Sequence, residues 1–100
     1  MVTVQDIIDL MESISPTVLK QDWDNIGLNC GKRSSGVKKV LVALDPFEHV
    51  CKEAADWGAD LLLTHHPLIF RPLPMVTDDA AITRGLMILV QNGISHFCAH

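Results

Sequence analysis

The chain has 100 residues, a hydrophobic fraction of 48% and a net charge of -4, which together predict one folded domain with a modest core rather than a disordered segment. Its basic residues form only short, separated pairs, Lys32-Arg33 and Lys38-Lys39, so the sequence lacks the clustered positive charge of a nucleic-acid-binding surface. It begins without the basic and apolar regions of a signal peptide, and no apolar run approaches the ~20 residues of a membrane span. We therefore expect a cytoplasmic protein with no nucleic-acid or membrane partner.

The first predicted element is a helix from Val4 to Ser13, because apolar residues recur there at helical spacing and Thr3 with Asp6 resembles a weak capping box. Ser15-Pro16 ends it, and frequent turn residues predict a loop as far as Gly36. Within that loop, the run from Trp23 to Leu28 has two interpretations. It is either a rigid loop near a site or a packed tryptophan followed by an Asx turn.

An apolar, β-branched run from Val37 to Leu44 predicts a central strand covered on both faces. Asp45, Pro46 and Glu48 then match the N-cap, N1 and N3 positions of a helix that runs to Trp57 and ends at Gly58. His49 falls on the polar face of this helix, so we interpret it as a surface residue.

A second buried strand, Leu61 to Leu63, ends in His65-His66-Pro67. Pro67 restricts the backbone of His66, so the segment is rigid enough to position a metal-binding side chain. On a regular strand the two imidazoles would point to opposite faces, so two metal ions fit more easily than one. Zinc, iron or manganese suits imidazole. The alternative is that one histidine caps a loop while the other packs against Phe70 or Trp57.

Thr77-Asp78-Asp79 offers caps for a third helix, which Asn92-Gly93 closes, and Ile94 to Ala99 forms the last strand. The order β-α-β-α-β predicts an α/β fold with a mostly parallel sheet and flanking helices. The carboxyl ends of such strands share one edge, where ligands bind. Asp45, His65, His66 and His100 all fall at that edge, although Asp45 has an alternative role as an N-cap and His100 could lack a partner.

Three cysteines, Cys30, Cys51 and Cys98, are odd in number and widely spaced. They therefore predict neither a disulfide framework nor a zinc ribbon, and buried thiols are the simpler interpretation.

Several motifs together resemble the NIF-three-like family, whose members are often labelled GTP cyclohydrolase 1 type 2 homologues. The matching stretches are Trp23-Asp24-Asn25-Ile26-Gly27-Leu28, Val37 to Asp45, Glu53-Ala54, Gly58-Ala59-Asp60 through Leu68, and the final strand ending in His100. The resemblance covers nearly all 100 residues, and it identifies them as the N-terminal part of the family's first lobe.

This resemblance implies a dinuclear metal site in which His65 and His66 each bind one ion, and assembly of the subunits into a hexameric ring. Asp45, His100 and Asn25 are possible supporting residues around the ligands. The family's further ligands, an Asp, a His and a Glu, come after the position of His100, so we expect weak or single-metal binding by these residues alone. An exposed apolar sheet edge would also favour self-association.

Two functions follow as expectations. The first is a metal-dependent hydrolase that acts on a nucleotide or phosphoester, with a nucleotide-like small molecule as the substrate. The second is a non-catalytic metal-binding scaffold or regulatory protein, of which this chain is an inactive fragment. The sequence supplies no glycine-rich phosphate loop and no basic clamp, so the nucleotide is implied by the family's label and not by a motif.

Overall fold

The structure, a computed structural model, describes residues 1–14 and 25–99. The helices are α1 (Val4–Ile14), α2 (Glu48–Trp57) and α3 (Ala81–Gln91), and the strands are β1 (Gly27–Cys30), β2 (Val40–Ala43), β3 (Leu61–Thr64) and β4 (Ser95–Cys98). Among these residues, no helix is long and apolar enough to cross a membrane.

All four strands form one sheet in the order β1-β4-β3-β2. The pairs β2/β3 and β3/β4 are parallel, whereas β1 pairs with β4 in the antiparallel direction. The predicted α/β fold with a mostly parallel sheet is confirmed, and the sheet is mixed because of β1.

Strand β1 was missed by the sequence interpretation, which assigned a loop as far as Gly36. Every residue of β1 is half-buried, so it has no alternation of apolar and polar positions. Glycines with positive φ lie at its start and just beyond its end, Gly27 at 113° and Gly31 at 111°, and such residues indicate turns. The strand exists because β4 offers it an edge to pair with, which is a tertiary contact.

The core lies on both faces of the sheet because successive strand residues point to opposite sides. Leu62 joins Cys51, Ala54 and Leu89 in a cluster on the face covered by α2 and α3. Its neighbour Leu61 joins a smaller cluster on the other face, against α1, with Val4, Val37 and Phe97. Two covered faces explain the uniformly apolar sequence of β3.

The predicted boundaries of α1 are confirmed to within one residue. The Thr3 N–H donates to Asp6 Oδ2 at 2.9 Å, and the Asp6 N–H donates to Thr3 Oγ1 at 3.3 Å. This reciprocal pair satisfies two of the backbone donors that the first turn of a helix leaves without partners.

The predicted start of α2 is wrong, whereas its predicted end is confirmed. The N-cap is Phe47, with no side-chain cap, and Asp45 lies outside the helix because its carboxylate binds elsewhere. At the other end, Gly58 adopts a left-handed φ of 77°, and its N–H closes the last turn. His49 is exposed, as predicted.

The predicted caps of α3 are also wrong. The helix begins at Ala81 with Ala80 as N-cap, while Thr77 and Asp79 bind each other in a turn before it. Strand β2 starts later than predicted, at Val40, because the backbone N–H groups of Lys38 and Lys39 donate to the Asp60 carboxylate at 2.8 and 3.1 Å instead of to a strand.

Candidate functional site

The paired histidines lie directly beyond the last residue of β3, Thr64, where the backbone bends. Both side chains are exposed, and their ring centroids are 4.8 Å apart with the planes tilted by 59°. The opposite-face arrangement expected on a regular strand does not apply, because both residues lie past the end of the strand. The bend brings the two imidazoles close together.

Asp45 and His66 meet because of the register between β2 and β3. Ala43 pairs with Thr64, so the residues two positions further along each strand leave the sheet side by side. His66 Nδ1 lies 2.6 Å from Asp45 Oδ1. With the Nδ1 proton donated to the carboxylate, Nε2 is the nitrogen whose lone pair can bind a metal. A carboxylate that orients a histidine in this way is the usual support of a metal-ligating imidazole.

The backbone of the two histidines is held at three points. The His66 N–H donates to the Leu44 carbonyl at 3.1 Å, and the Thr64 hydroxyl donates to the His66 carbonyl at 2.5 Å. The Cys98 thiol donates to the His65 carbonyl at 3.2 Å. Residues from three adjacent strand ends therefore fix the position of the His65-His66 segment.

Thr64 and His96, in the neighbouring strands β3 and β4, form a buried polar pair that the sequence analysis did not single out. The Thr64 hydroxyl is 2.7 Å from His96 Nε2, and the two residues are 2% and 0% exposed. Burial lowers the pKa of His96 to about 4, so its ring is neutral at pH 7. A sequence signal existed, since Thr64 and His96 are polar residues within short apolar strands.

Asn25 and Asn29 bind the chain just after the histidines. Asn29 Oδ1 accepts the Ile69 N–H at 2.9 Å, and the Asn25 side-chain amide donates to the Ile69 carbonyl. The predicted supporting role of Asn25 therefore takes the form of a contact three residues beyond His66. Its influence on a metal remains a prediction, and Asn29 is an additional residue of this kind.

Two cavities lie at this end of the sheet, and His65 lines one of them. One, of about 410 Å³, has the Asp45 carboxylate and Pro67 in its wall beside the apolar side chains of Phe47, Phe70 and Ile82. The other, of about 460 Å³, lies on the opposite side of the sheet edge against His65, Val42 and Leu44. Mostly apolar cavities with a few polar groups are the common form of small-molecule sites.

The described residues offer His65 and His66 as candidate metal ligands. Within residues 1–14 and 25–99, no group of three or more His, Cys, Asp or Glu side chains is arranged to hold an ion. His100, which the sequence analysis placed at this edge, lies outside the described residues, and so do Trp23 and Asp24, whose two interpretations stay open. What the structure does present is two neighbouring imidazoles, one of them oriented by a carboxylate, and this donor set fits zinc, iron or manganese.

The three cysteines do not form disulfides. Cys51 and Cys98 are buried and Cys30 is half-buried, so the prediction of buried thiols is confirmed for two of the three. Burial raises the pKa of the Cys51 thiol to about 11 and also raises the pKa of Cys30, which keeps both thiols protonated and poor metal ligands.

Comparisons with known proteins give one consistent result. A curated relative from Clostridium perfringens, named GTP cyclohydrolase 1 type 2 homolog, is 44% identical over 97 residues, which are 97% of this chain and 37% of the relative. A Helicobacter pylori relative named GTP cyclohydrolase 1 type 2 is 34% identical over 100 residues, or 40% of its length.

Solved structures of related proteins have the same fold as this chain. A Bacillus cereus protein related to NIF3 matches 99% of this chain and 27% of its own, with 38% identity and a TM-score of 0.92. Reduced HcgD from Methanocaldococcus jannaschii matches 99% of this chain and 40% of its own, with 38% identity and a TM-score of 0.91. The chain thus spans well under half the length of these proteins. The family model described as Duf34/NIF3 (NGG1p interacting factor 3) matches residues 2–100, and the chain therefore belongs to the Duf34/NIF3 family.

Proposed function

We propose that this chain supplies the paired-histidine part of a divalent-metal site, with His65 and His66 as ligands for zinc, iron or manganese. The observation that supports this most is the 2.6 Å contact between His66 Nδ1 and Asp45 Oδ1, beside a second imidazole 4.8 Å away. As an ion pair alone, a contact at such an exposed strand end adds little to folding stability. Metal ligands gain a fixed tautomer and a fixed ring direction.

The reaction class that suits this site is hydrolysis of a nucleotide or phosphoester. A divalent ion held there would act as a Lewis acid on a phosphoryl or carbonyl oxygen. His65 and His66 would hold the ion, and Asp45 would keep the His66 ring in its orientation. The 410 Å³ cavity beside Asp45 offers Phe47 and Phe70 as apolar surface for the organic part of a substrate. The names of the C. perfringens and H. pylori relatives, which refer to GTP, support a nucleotide as that substrate.

A non-catalytic metal-binding scaffold is the second candidate. It is favoured by the exposed apolar side chains Val42 and Leu44 at the open side of β2, a surface suited to association of subunits. In this case the ion would stabilise an assembly of subunits, and no substrate would be turned over.

The test is metal content per chain, measured by elemental analysis after purification without chelators or a nickel affinity step. We expect metal in the wild type and a large loss in the His65→Ala, His66→Ala double variant, with far-UV circular dichroism unchanged because both side chains are exposed. His49→Ala, which removes another exposed histidine, is the matched control and should keep the metal.

Equal metal content in all three proteins would reject the proposed ligands. If the metal is lost from the double variant, screening the wild type for hydrolysis of nucleotides and phosphoesters separates the two functions. Turnover by the wild type that is absent from the double variant supports the hydrolase, whereas metal-dependent assembly without turnover supports the scaffold.

A further inference from the structure

We propose that Thr64 and His96 are a positioning pair that fixes the backbone of His66, and thereby fixes where its imidazole is presented. The geometry of the pair stands by itself, but its consequence for metal affinity rests on the metal-binding function proposed above. Neither residue is one of the proposed ligands, so both act through His66.

The direction of each hydrogen bond follows from the groups involved. The His66 carbonyl oxygen can only accept a proton, so at 2.5 Å the Thr64 hydroxyl must donate to it. That hydroxyl has one proton, which leaves its oxygen to act as an acceptor towards His96 Nε2 at 2.7 Å. His96 must therefore carry its proton on Nε2, and the chain of donors runs from His96 through Thr64 to His66.

The second ring nitrogen of His96, Nδ1, indicates that packing alone does not explain a histidine at this position. Nδ1 is buried and has no hydrogen-bond partner among the described residues. A buried acceptor without a partner is destabilising, so an apolar side chain would suit the site better if only packing mattered. The compensating contact is the one at Nε2, which holds the Thr64 hydroxyl towards the His66 carbonyl.

Fixing this carbonyl completes the restraint of His66. Its N–H is bound to the Leu44 carbonyl at 3.1 Å, and its ring is bound to Asp45 at 2.6 Å. The carbonyl belongs to the peptide that leads into Pro67, so the Thr64 contact restrains the remaining backbone torsion of His66. Backbone and ring are thus restrained together, and loss of preorganisation of this kind weakens metal binding.

The first test compares Thr64→Val, which removes the hydroxyl at nearly constant shape, with Thr64→Ser, which keeps it. Zinc affinity of the full chain is measured by competition with a chelating indicator at fixed pH. We expect Thr64→Val to bind zinc about 10 to 100-fold more weakly than the wild type, as removal of supporting contacts around a metal usually does. Thr64→Ser should stay within about threefold.

Thr83→Val is the matched control, because Thr83 is also a buried threonine whose hydroxyl donates to a backbone carbonyl, that of Ala80 at 3.1 Å. It should lose a similar amount of stability and keep its zinc affinity. Equal zinc affinity in Thr64→Val and the wild type would overturn the proposal.

A second pair of variants tests His96 and does not depend on Thr64→Val being folded. His96→Gln keeps an N–H donor near the position of Nε2, whereas His96→Leu removes it. We expect wild-type-like zinc affinity in His96→Gln and weakening of about tenfold or more in His96→Leu. The same affinity in both variants would overturn the role of His96.

Amide hydrogen exchange in the metal-free chain separates this proposal from the metal-binding function. The exchange rate of the His66 amide is compared with that of the Leu62 amide in β3. This ratio should be about tenfold higher in Thr64→Val than in Thr83→Val, because loss of the hydrogen bond to the His66 carbonyl loosens the backbone of His66. If the wild type binds no zinc but this difference is seen, the metal function fails and the positioning pair stands. If the difference is absent, the positioning pair fails whether or not zinc binds.

Discussion

Two histidine environments lie on the neighbouring strands β3 and β4, and they differ in exposure, binding partner and charge. His66 is at the exposed end of β3, where its side chain retains 46% of its accessible surface and binds a carboxylate. His96 is fully buried in β4, binds a neutral hydroxyl and stays uncharged. The same residue type is thus exposed and paired with a carboxylate in one place, and buried with a single hydrogen bond to a hydroxyl in the other. The surroundings decide the chemistry.

The largest difference between the two regions should be seen in stability. Leu62 is fully buried and pairs in register with His96, so Leu62→Ala should lower the free energy of unfolding by about 2–5 kcal/mol through lost burial and a cavity. Leu44, at the exposed end, is 62% exposed, and Leu44→Ala should change stability by less than about 0.5 kcal/mol. Urea denaturation of both variants checks this, and similar losses would contradict the contrast.

Lowering the pH should reduce the stability of the fold through the buried His96. Its folded-state pKa of about 4 lies below the ordinary value of 6.5, so the unfolded chain binds the proton more readily. The stabilising contribution is therefore complete above pH 6.5 and is lost as the pH falls towards and below 4. The difference between these two pKa values corresponds to about 3 kcal/mol in the free energy of unfolding.

Urea midpoints measured from pH 7 to pH 4 should show this loss in the wild type and in His49→Gln, but a much smaller one in His96→Gln. An unchanged pH dependence in His96→Gln would mean that other groups are responsible for it.

At the exposed end, the effect of a substitution should appear in metal binding and not in folding. Asp45→Ala removes the carboxylate that orients His66, and we expect about 10 to 100-fold weaker zinc binding with stability changed by less than about 0.5 kcal/mol. Asp56→Ala, which removes an exposed carboxylate from α2, serves as the charge-matched control. Competition titration with a chelating indicator measures the affinities, and equal weakening in both variants would point to net charge instead of orientation.

The smallest effect on the folded chain should come from the open side of β2. Within the described residues β2 pairs on one side only, and its residue Val42 is 69% exposed. We propose self-association through this edge, since an exposed apolar strand invites pairing. Val42→Lys should shift sedimentation-velocity profiles towards monomer with little change in the urea midpoint. If the wild type is already monomeric at high concentration, the edge does not associate.

Much of the fold follows from local pattern. The helical spacing of α1, the apolar runs of β2 and β3 and the glycine that ends α2 each predicted an element that the structure confirms. Strand β1 was missed because its four residues have no pattern of their own. The first residues of α2 and α3 were misplaced because cap-like residues such as Asp45 and Thr77 found other partners.

The sequence by itself determined that Asp45 and the paired histidines come to one sheet edge, because parallel strands joined by helices have their carboxyl ends on the same side. Only the tertiary structure decided how they are arranged there. The β2/β3 register brought Asp45 to His66, a backbone bend brought the two rings together, and burial made Thr64 and His96 a hydrogen-bonded pair. Register, bends and burial depend on residues distant in the chain, so local sequence pattern does not encode them.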